Sequence, residues 1–205
     1  LLNTLTDLAD AGNRLCRKYG WPTHERQAYR YFVGNGIPKL VERLAPADQR
    51  TPAVLEAALA DFKRDYGQHL RDTTAPYPGI PEMLAKLKAN GVQLAVFSNK
   101  ADALAKEVVK DYFGTQYFTI VRGQMTGVAP KPAAEGTNAL LQALHADPAS
   151  TLYVGDSNVD VETAHNANLP CCGAVWGFRT REELNAAGAE YLAENSDELY
   201  DVIMK

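Results

Sequence analysis

Thr151-Leu152-Tyr153-Val154-Gly155-Asp156-Ser157-Asn158-Val159-Asp160 decides the fold. A short apolar run breaks off at a glycine. Acidic and hydroxyl residues follow, and then Val161 to Ala167 reads as helical. That is a strand running straight into a helix. The same rhythm comes earlier in the chain. Val92 to Phe97 is apolar and ends in Ser98-Asn99-Lys100, ahead of a helical stripe of Leu104, Val108 and Tyr112 closed by Gly114. Tyr117 to Val121, Cys172 to Trp176 and Tyr191 to Ala193 read as further strands. Leu140, Leu141 and Leu144 mark another helix, ended by Asp147-Pro148, and Ile80, Met83, Leu84 and Leu87 one that stops at Asn90-Gly91. Strands alternating with helices predict an α/β fold with a mostly parallel sheet covered on both faces.

Upstream of Pro76 the pattern is helical throughout. Leu8, Leu15 and Tyr19 stripe a first helix that Gly20 and Pro22 end. His24 to Val33 is a second, closed by Gly34-Asn35-Gly36, and Leu40, Val41 and Leu44 mark a short third. Val54, Leu55, Ala58, Leu59, Phe62 and Tyr66 stripe a fourth, opened by Thr51-Pro52. No strand stands out in this half, and a small helical bundle is expected.

A length of 205 residues fits one compact core plus a smaller appended unit. Hydrophobic residues make up 46% and charged residues 22%, the balance of a globular chain and not of a disordered or fibrous one. With 21 Lys+Arg against 25 Asp+Glu, the net charge is -4. Such a chain has no broad basic face, which argues against bulk nucleic-acid binding. No apolar run approaches a membrane span. Cys16, Cys171 and Cys172 make a poor disulfide or zinc framework, so a reducing, cytoplasmic compartment is expected.

In sheets of this kind ligands bind beyond the carboxyl ends of the strands. Ser98 offers a hydroxyl there, and the amides of Asn99 and Lys100 are expected to face a helix start, where anions bind. Lys131 lies between Pro130 and Pro132, just before a helix, and presents a compact point charge suited to a phosphoryl oxygen. Asp156 and Asp160 stand one turn apart if Ser157 starts a helix, a donor pair that suits Mg²⁺. Taken singly, each has a plainer reading: an N-cap at Ser98 or Asn99, a solvated lysine, a capping acid with a first-turn acid. Gly155 favours a ligand, because it lets backbone approach closely. A hydroxyl, a lysine and an acidic pair after successive strands are far less expected by chance than any one of them.

Val96-Phe97-Ser98-Asn99-Lys100, Lys131-Pro132 and Gly155-Asp156-Ser157-Asn158-Val159-Asp160 resemble the second, third and fourth motifs of the haloacid dehalogenase-like hydrolases. Val33-Gly34-Asn35-Gly36, Tyr77-Pro78-Gly79 and Trp176-Gly177-Phe178-Arg179, with Glu182-Glu183-Leu184 and Gly188-Ala189, are similar to the phosphoglycolate phosphatase branch. The resemblance implies a Rossmann-like parallel core over residues 76–205, with residues 1–10 as its start and a helical-bundle cap over 11–75. It implies a Mg²⁺-dependent phosphatase acting on a small phosphomonoester, phosphoglycolate first, through an aspartyl-phosphate. Ser98, Asn99 and Lys131 would then bind phosphate, and Asp156 would hold the metal with Asp160 supporting it through water. Gly34, Asn35, Gly36 and Lys39 would contact the substrate's other end, although a helix break with a surface lysine accounts for them equally well.

One departure is large. The family's first motif, Asp-x-Asp-Gly-Thr after a strand, carries the nucleophile and the general acid, and is expected immediately before Leu1. The strand expected between those ending at Ser98 and Gly155 goes with it. A smaller departure is Gln124, where relatives are often acidic. The alternatives are a phosphosugar mutase of the same superfamily and, for these residues alone, a catalytically silent phosphate-binding module. A receiver domain has its acid ahead of the hydroxyl strand and no helical insert, and no Gly-x-Gly-x-x-Gly supports a dehydrogenase. His24, His69, His145 and His165 do not cluster, and Trp21 and Trp176 read as packing residues.

Overall fold

The computed structural model describes residues 1–205, which form two compact units, Leu1–Tyr77 and Pro78–Lys205. The first unit holds α1 (Leu5–Tyr19), α2 (Arg26–Phe32), α3 (Ile37–Leu44) and α4 (Pro52–His69). Gly20 ends α1 in the left-handed conformation at φ 68°, returning its N–H to the last carbonyls. Thr51 caps α4, its hydroxyl accepting from the Val54 N–H, with Pro52 at the first helical position. The apolar stripes meet in a core of Leu15, Tyr29, Leu40, Leu44, Phe62 and Tyr66. Residues 1–10 group with these helices, because α1 runs unbroken through position 10.

Two strands of this unit escape the sequence pattern. β1 (Leu2–Asn3) and β2 (Ala75–Pro76) pair antiparallel, too short for any alternation to show. Beside them the buried Asp7 carboxylate accepts four hydrogen bonds. Thr73 supplies its N–H (2.8 Å) and hydroxyl (2.5 Å), and Thr74 its N–H (2.9 Å) and hydroxyl (2.7 Å). The start of α1 is thereby tied to the segment that leaves the unit.

The second unit alternates as expected: α5 (Ile80–Ala89), β3 (Leu94–Ala101), α6 (Asp102–Phe113), β4 (Phe118–Gln124), α7 (Glu135–Leu144), β5 (Tyr153–Gly155), α8 (Asn158–Asn166), β6 (Cys171–Ala174), α9 (Arg181–Ala186), β7 (Tyr191–Ala193) and α10 (Ser196–Ile203). Periodicity does not predict α9 or α10, which span only 6 and 8 residues. Their caps are legible instead: Thr180 with Glu183, and Asn195 accepting from the Glu198 N–H. All strand pairs here are parallel. β3 pairs with β4, and β5, β6 and β7 form a second ladder. β6 is buried along its whole length and packs among Val161, Ala164, Leu169 and Leu184. No ladder joins β3 to β5, and Ala95 and Val154 on those strands are exposed. The Lys131–Asp160 ion pair links the ends of the two ladders through side chains.

Candidate active site

Lys131 stands at the centre of those side chains. It sits in an irregular stretch between β4 and α7, flanked by two prolines that cannot donate main-chain hydrogen bonds. Asn99, near the end of β3, reaches across to it. The Lys131 N–H donates to Asn99 Oδ1 at 2.9 Å, and Asn99 Nδ2 donates to the Lys131 carbonyl at 3.2 Å. The ammonium lies 2.6 Å from Asp160 Oδ1 and 3.5 Å from the Phe97 carbonyl. The rings of Phe97 and Tyr153 flank it, with centroids 5.8 and 6.0 Å away. Side-chain exposure is 11% for Lys131 and 10% for Asp160, so this ion pair is largely dry.

Asp160 is occupied on both oxygens. Its Oδ2 accepts from the Asp156 N–H (3.2 Å), the Ser157 N–H (3.1 Å) and the Ser157 hydroxyl (2.7 Å). With Ser157 as N-cap of α8 this is a capping box, built on an aspartate at the third position. Burial raises the Asp160 pKa, but Lys131 and the donors around Oδ2 outweigh it and hold the carboxyl below its ordinary range. Burial lowers the Lys131 pKa, and Asp160 more than offsets that, leaving it raised.

Asp156 differs from its neighbour. It directly follows β5 and lies just outside α8, and its carbonyl accepts from the Arg179 N–H at 3.0 Å. Burial, and then the nearby Asp160, push its carboxyl up to about 6. Two glycines make room for the acids. A Cβ on Gly155 would overlap the Asp160 side chain, and one on Gly177 would overlap that of Asp156. Two carboxylates against one ammonium leave the cluster one negative charge in excess. A site so charged repels a phosphate dianion until a cation balances it. Asp156, half-buried and uncomfortable as an anion, fits a divalent ion that keeps several waters. No group of three His, Cys, Asp or Glu side chains gathers here, and Asp160 is committed to Lys131 and the α8 cap.

The expected residues fall as follows. Asn99, Lys131, Asp160 and Asp156 form one connected cluster. Ser98 adjoins it through Asn99, and its hydroxyl accepts from the Lys100 N–H at 3.1 Å. The helix start expected at Asn99 and Lys100 lies further on. β3 continues to Ala101, which caps α6, because the β3–β4 ladder shifts register after Phe97 and pairs again at Ala101 with Gln124. The Gln124 amide donates to the carbonyls of Met125 (3.0 Å) and Val128 (2.5 Å), holding the turn ahead of Pro130. Gly34, Asn35, Gly36 and Lys39 belong to the helical unit. Gly34 and Gly36 take φ values of 109° and 84°. Arg43 grips their loop, donating to the carbonyls of Tyr31 and Phe32 and to Asn35 Oδ1. Lys39 pairs with Glu42 on the same helix at 2.8 Å. Phe97 and Gly177 lie inside the motifs that carry the resemblance, but no role at the site is legible there for them, nor for Tyr153 and Arg43. In sequence the two rings look like core and Arg43 like a helix-surface charge.

Known proteins share this architecture. A phosphoglycolate phosphatase of Chromobacterium violaceum is 29% identical over 206 residues, covering 99% of this chain and 91% of its own. A plasmid-encoded phosphoglycolate phosphatase of Cupriavidus necator is 30% identical over 200 residues, covering 97% and 87%. A crystal structure from Lactobacillus delbrueckii subsp. bulgaricus superposes with a TM-score of 0.92 at 26% identity, over 98% of this chain and 93% of that one. The sequence model of the haloacid dehalogenase-like hydrolases matches residues 1–174, and this chain belongs to that family.

Proposed function

We propose that this hydrolase releases phosphate from a small phosphomonoester, phosphoglycolate first, in a Mg²⁺-dependent reaction through an aspartyl-phosphate. One observation carries the reading: a nearly dry ammonium, held at its backbone by Asn99 and at its tip by Asp160, beside a second carboxylate with a raised pKa. The names of the relatives support the choice of substrate.

Each residue has a task in this scheme. Lys131 and the Ser98 hydroxyl stabilise charge on the phosphoryl oxygens, with the Asn99 amide nearby. Such donors act most strongly where water is excluded. Asp156 would hold Mg²⁺, which when bound neutralises phosphoryl charge. Asp160 keeps Lys131 protonated and aimed. In this scheme the attacking carboxylate and the general acid come from the family's first motif, Asp-x-Asp-Gly-Thr. The helical unit serves as the cap, with Gly34, Asn35, Gly36 and Lys39 toward the substrate's non-phosphate end. A reducing cytoplasm suits three buried, unpaired cysteines, and no helix is long and apolar enough to cross a membrane.

The test is phosphate release from a panel of phosphomonoesters by the natural gene product, with and without Mg²⁺. Turnover of phosphoglycolate that falls about 10²–10³-fold in Lys131→Ala supports the reading. Conversion of a sugar phosphate to its isomer would replace it with a mutase. No turnover of any ester would leave a binding module.

A further inference from the structure

Every main-chain polar group of the Pro130-Lys131-Pro132 segment has a partner. The Pro130 carbonyl accepts from the Ala133 N–H at 3.0 Å. The Lys131 N–H and carbonyl both go to Asn99, at 2.9 and 3.2 Å. The Pro132 carbonyl accepts from Asn166 Nδ2 at 2.8 Å. Two prolines remove two of the three possible donors, so the Lys131 N–H is the only amide with which the segment can be anchored. Asn99 takes it, and closes the pairing by donating to the carbonyl of the same residue. It thereby imitates a neighbouring strand across 32 residues of sequence. The segment belongs to neither a strand nor a helix, so no ladder fixes its position.

We propose that Asn99 is a positioning residue that acts through Lys131, setting the main-chain origin from which the ammonium reaches its place beside Asp160. The amide oxygen and one amide hydrogen are spent on the Lys131 peptide, so the side chain works on lysine geometry. Asp160 holds the tip of the lysine and Asn99 its root. Losing the root lets the ammonium wander by a fraction of an ångström to an ångström, and a displacement of that size costs about 10²-fold in rate.

This inference rests on the phosphatase reading, and a double-mutant cycle separates the two. Phosphate release is measured for wild type, Asn99→Ala, Lys131→Ala and the double variant, with kcat and KM resolved. Asn99→Ala is expected to lose about 10²-fold, chiefly in kcat. In the Lys131→Ala background the same change is expected to cost no more than about twofold, because the group it positions is gone. Equal losses in both backgrounds would overturn the proposal, since a general structural role costs the same either way. A wild type inactive on every ester would sink the phosphatase reading instead. Should Asn99→Ala not fold, Asn99→Ser, too short to reach either group, takes its place in the cycle.

Discussion

The Lys131 ammonium lies 2.6 Å from Asp160 Oδ1, while Asp160 Oδ2 gathers three donors from Asp156 and Ser157. One carboxylate therefore joins the lysine segment to the turn after β5. It does so where no backbone ladder connects β3 to β5. Removing one partner of a buried pair strands the other charge, so Asp160→Asn is expected to cost about 3–5 kcal/mol of stability. The folded pKa of Asp160 is depressed. Its contribution is thus present above the unfolded value of about 3.9 and is lost as pH falls through the lower folded value. Denaturant melts of both proteins from pH 3 to 7 check this. A difference below about 1 kcal/mol at pH 7 would show the pair to be dispensable.

Asp156 carries the opposite sign. Its folded pKa is raised to about 6, so this group's contribution to stability is fully present below the unfolded value of about 3.9 and is lost as pH rises through about 6. Asp156→Asn is expected to be more stable than wild type above pH 6 in the absence of divalent ions. If Asp156 holds Mg²⁺ as proposed, wild type is expected to gain stability on adding the ion, by RT ln(1 + [Mg²⁺]/Kd), and the variant is not. Melting temperatures at pH 5 and 8, with and without Mg²⁺, give both readouts. An equal Mg²⁺ shift in the two proteins would take Asp156 out of the metal site.

Gly177 leaves the space that Asp156 occupies. A Cβ there would meet the Asp156 Cβ, which cannot move without the backbone, as well as its carboxyl group. Gly177→Ala is expected to cost about 1–3 kcal/mol by overpacking. It should also shift the carboxylate enough to blunt the Mg²⁺ response. Calorimetric Mg²⁺ titration of the folded variant measures this, and an unchanged affinity would refute it.

Asp7 makes a prediction for the helical unit alone. Its carboxylate satisfies four donors from Thr73 and Thr74, and its pKa is lowered because these bonds outweigh burial. Asp7→Ala orphans those donors, and a loss of at least about 1.5–3 kcal/mol is expected. Proteolysis near Thr73 should quicken as the segment detaches from α1. A digestion pattern unchanged from wild type would mean that other contacts hold the segment.

The sequence by itself determined the alternation of strands and helices, the helical first half, and the residues offered at the strand ends. Those signals are local: periodicity through Leu104, Val108 and Tyr112, a glycine stop at Gly20, a polar break after Val154. Elements too short for a period, such as Leu2–Asn3 and Arg181–Ala186, leave no periodic signal in it. Only the tertiary structure decided how the site residues divide their work. Asp156 and Asp160 look alike in sequence, yet one is spent on Lys131 and the α8 cap while the other faces burial with a raised pKa. Asn99 reads as a ligand and is found clasping a peptide 32 residues away. The reason is physical: a side chain's role depends on which donors and charges surround it, and these come from parts of the chain that folding alone brings within 3 Å.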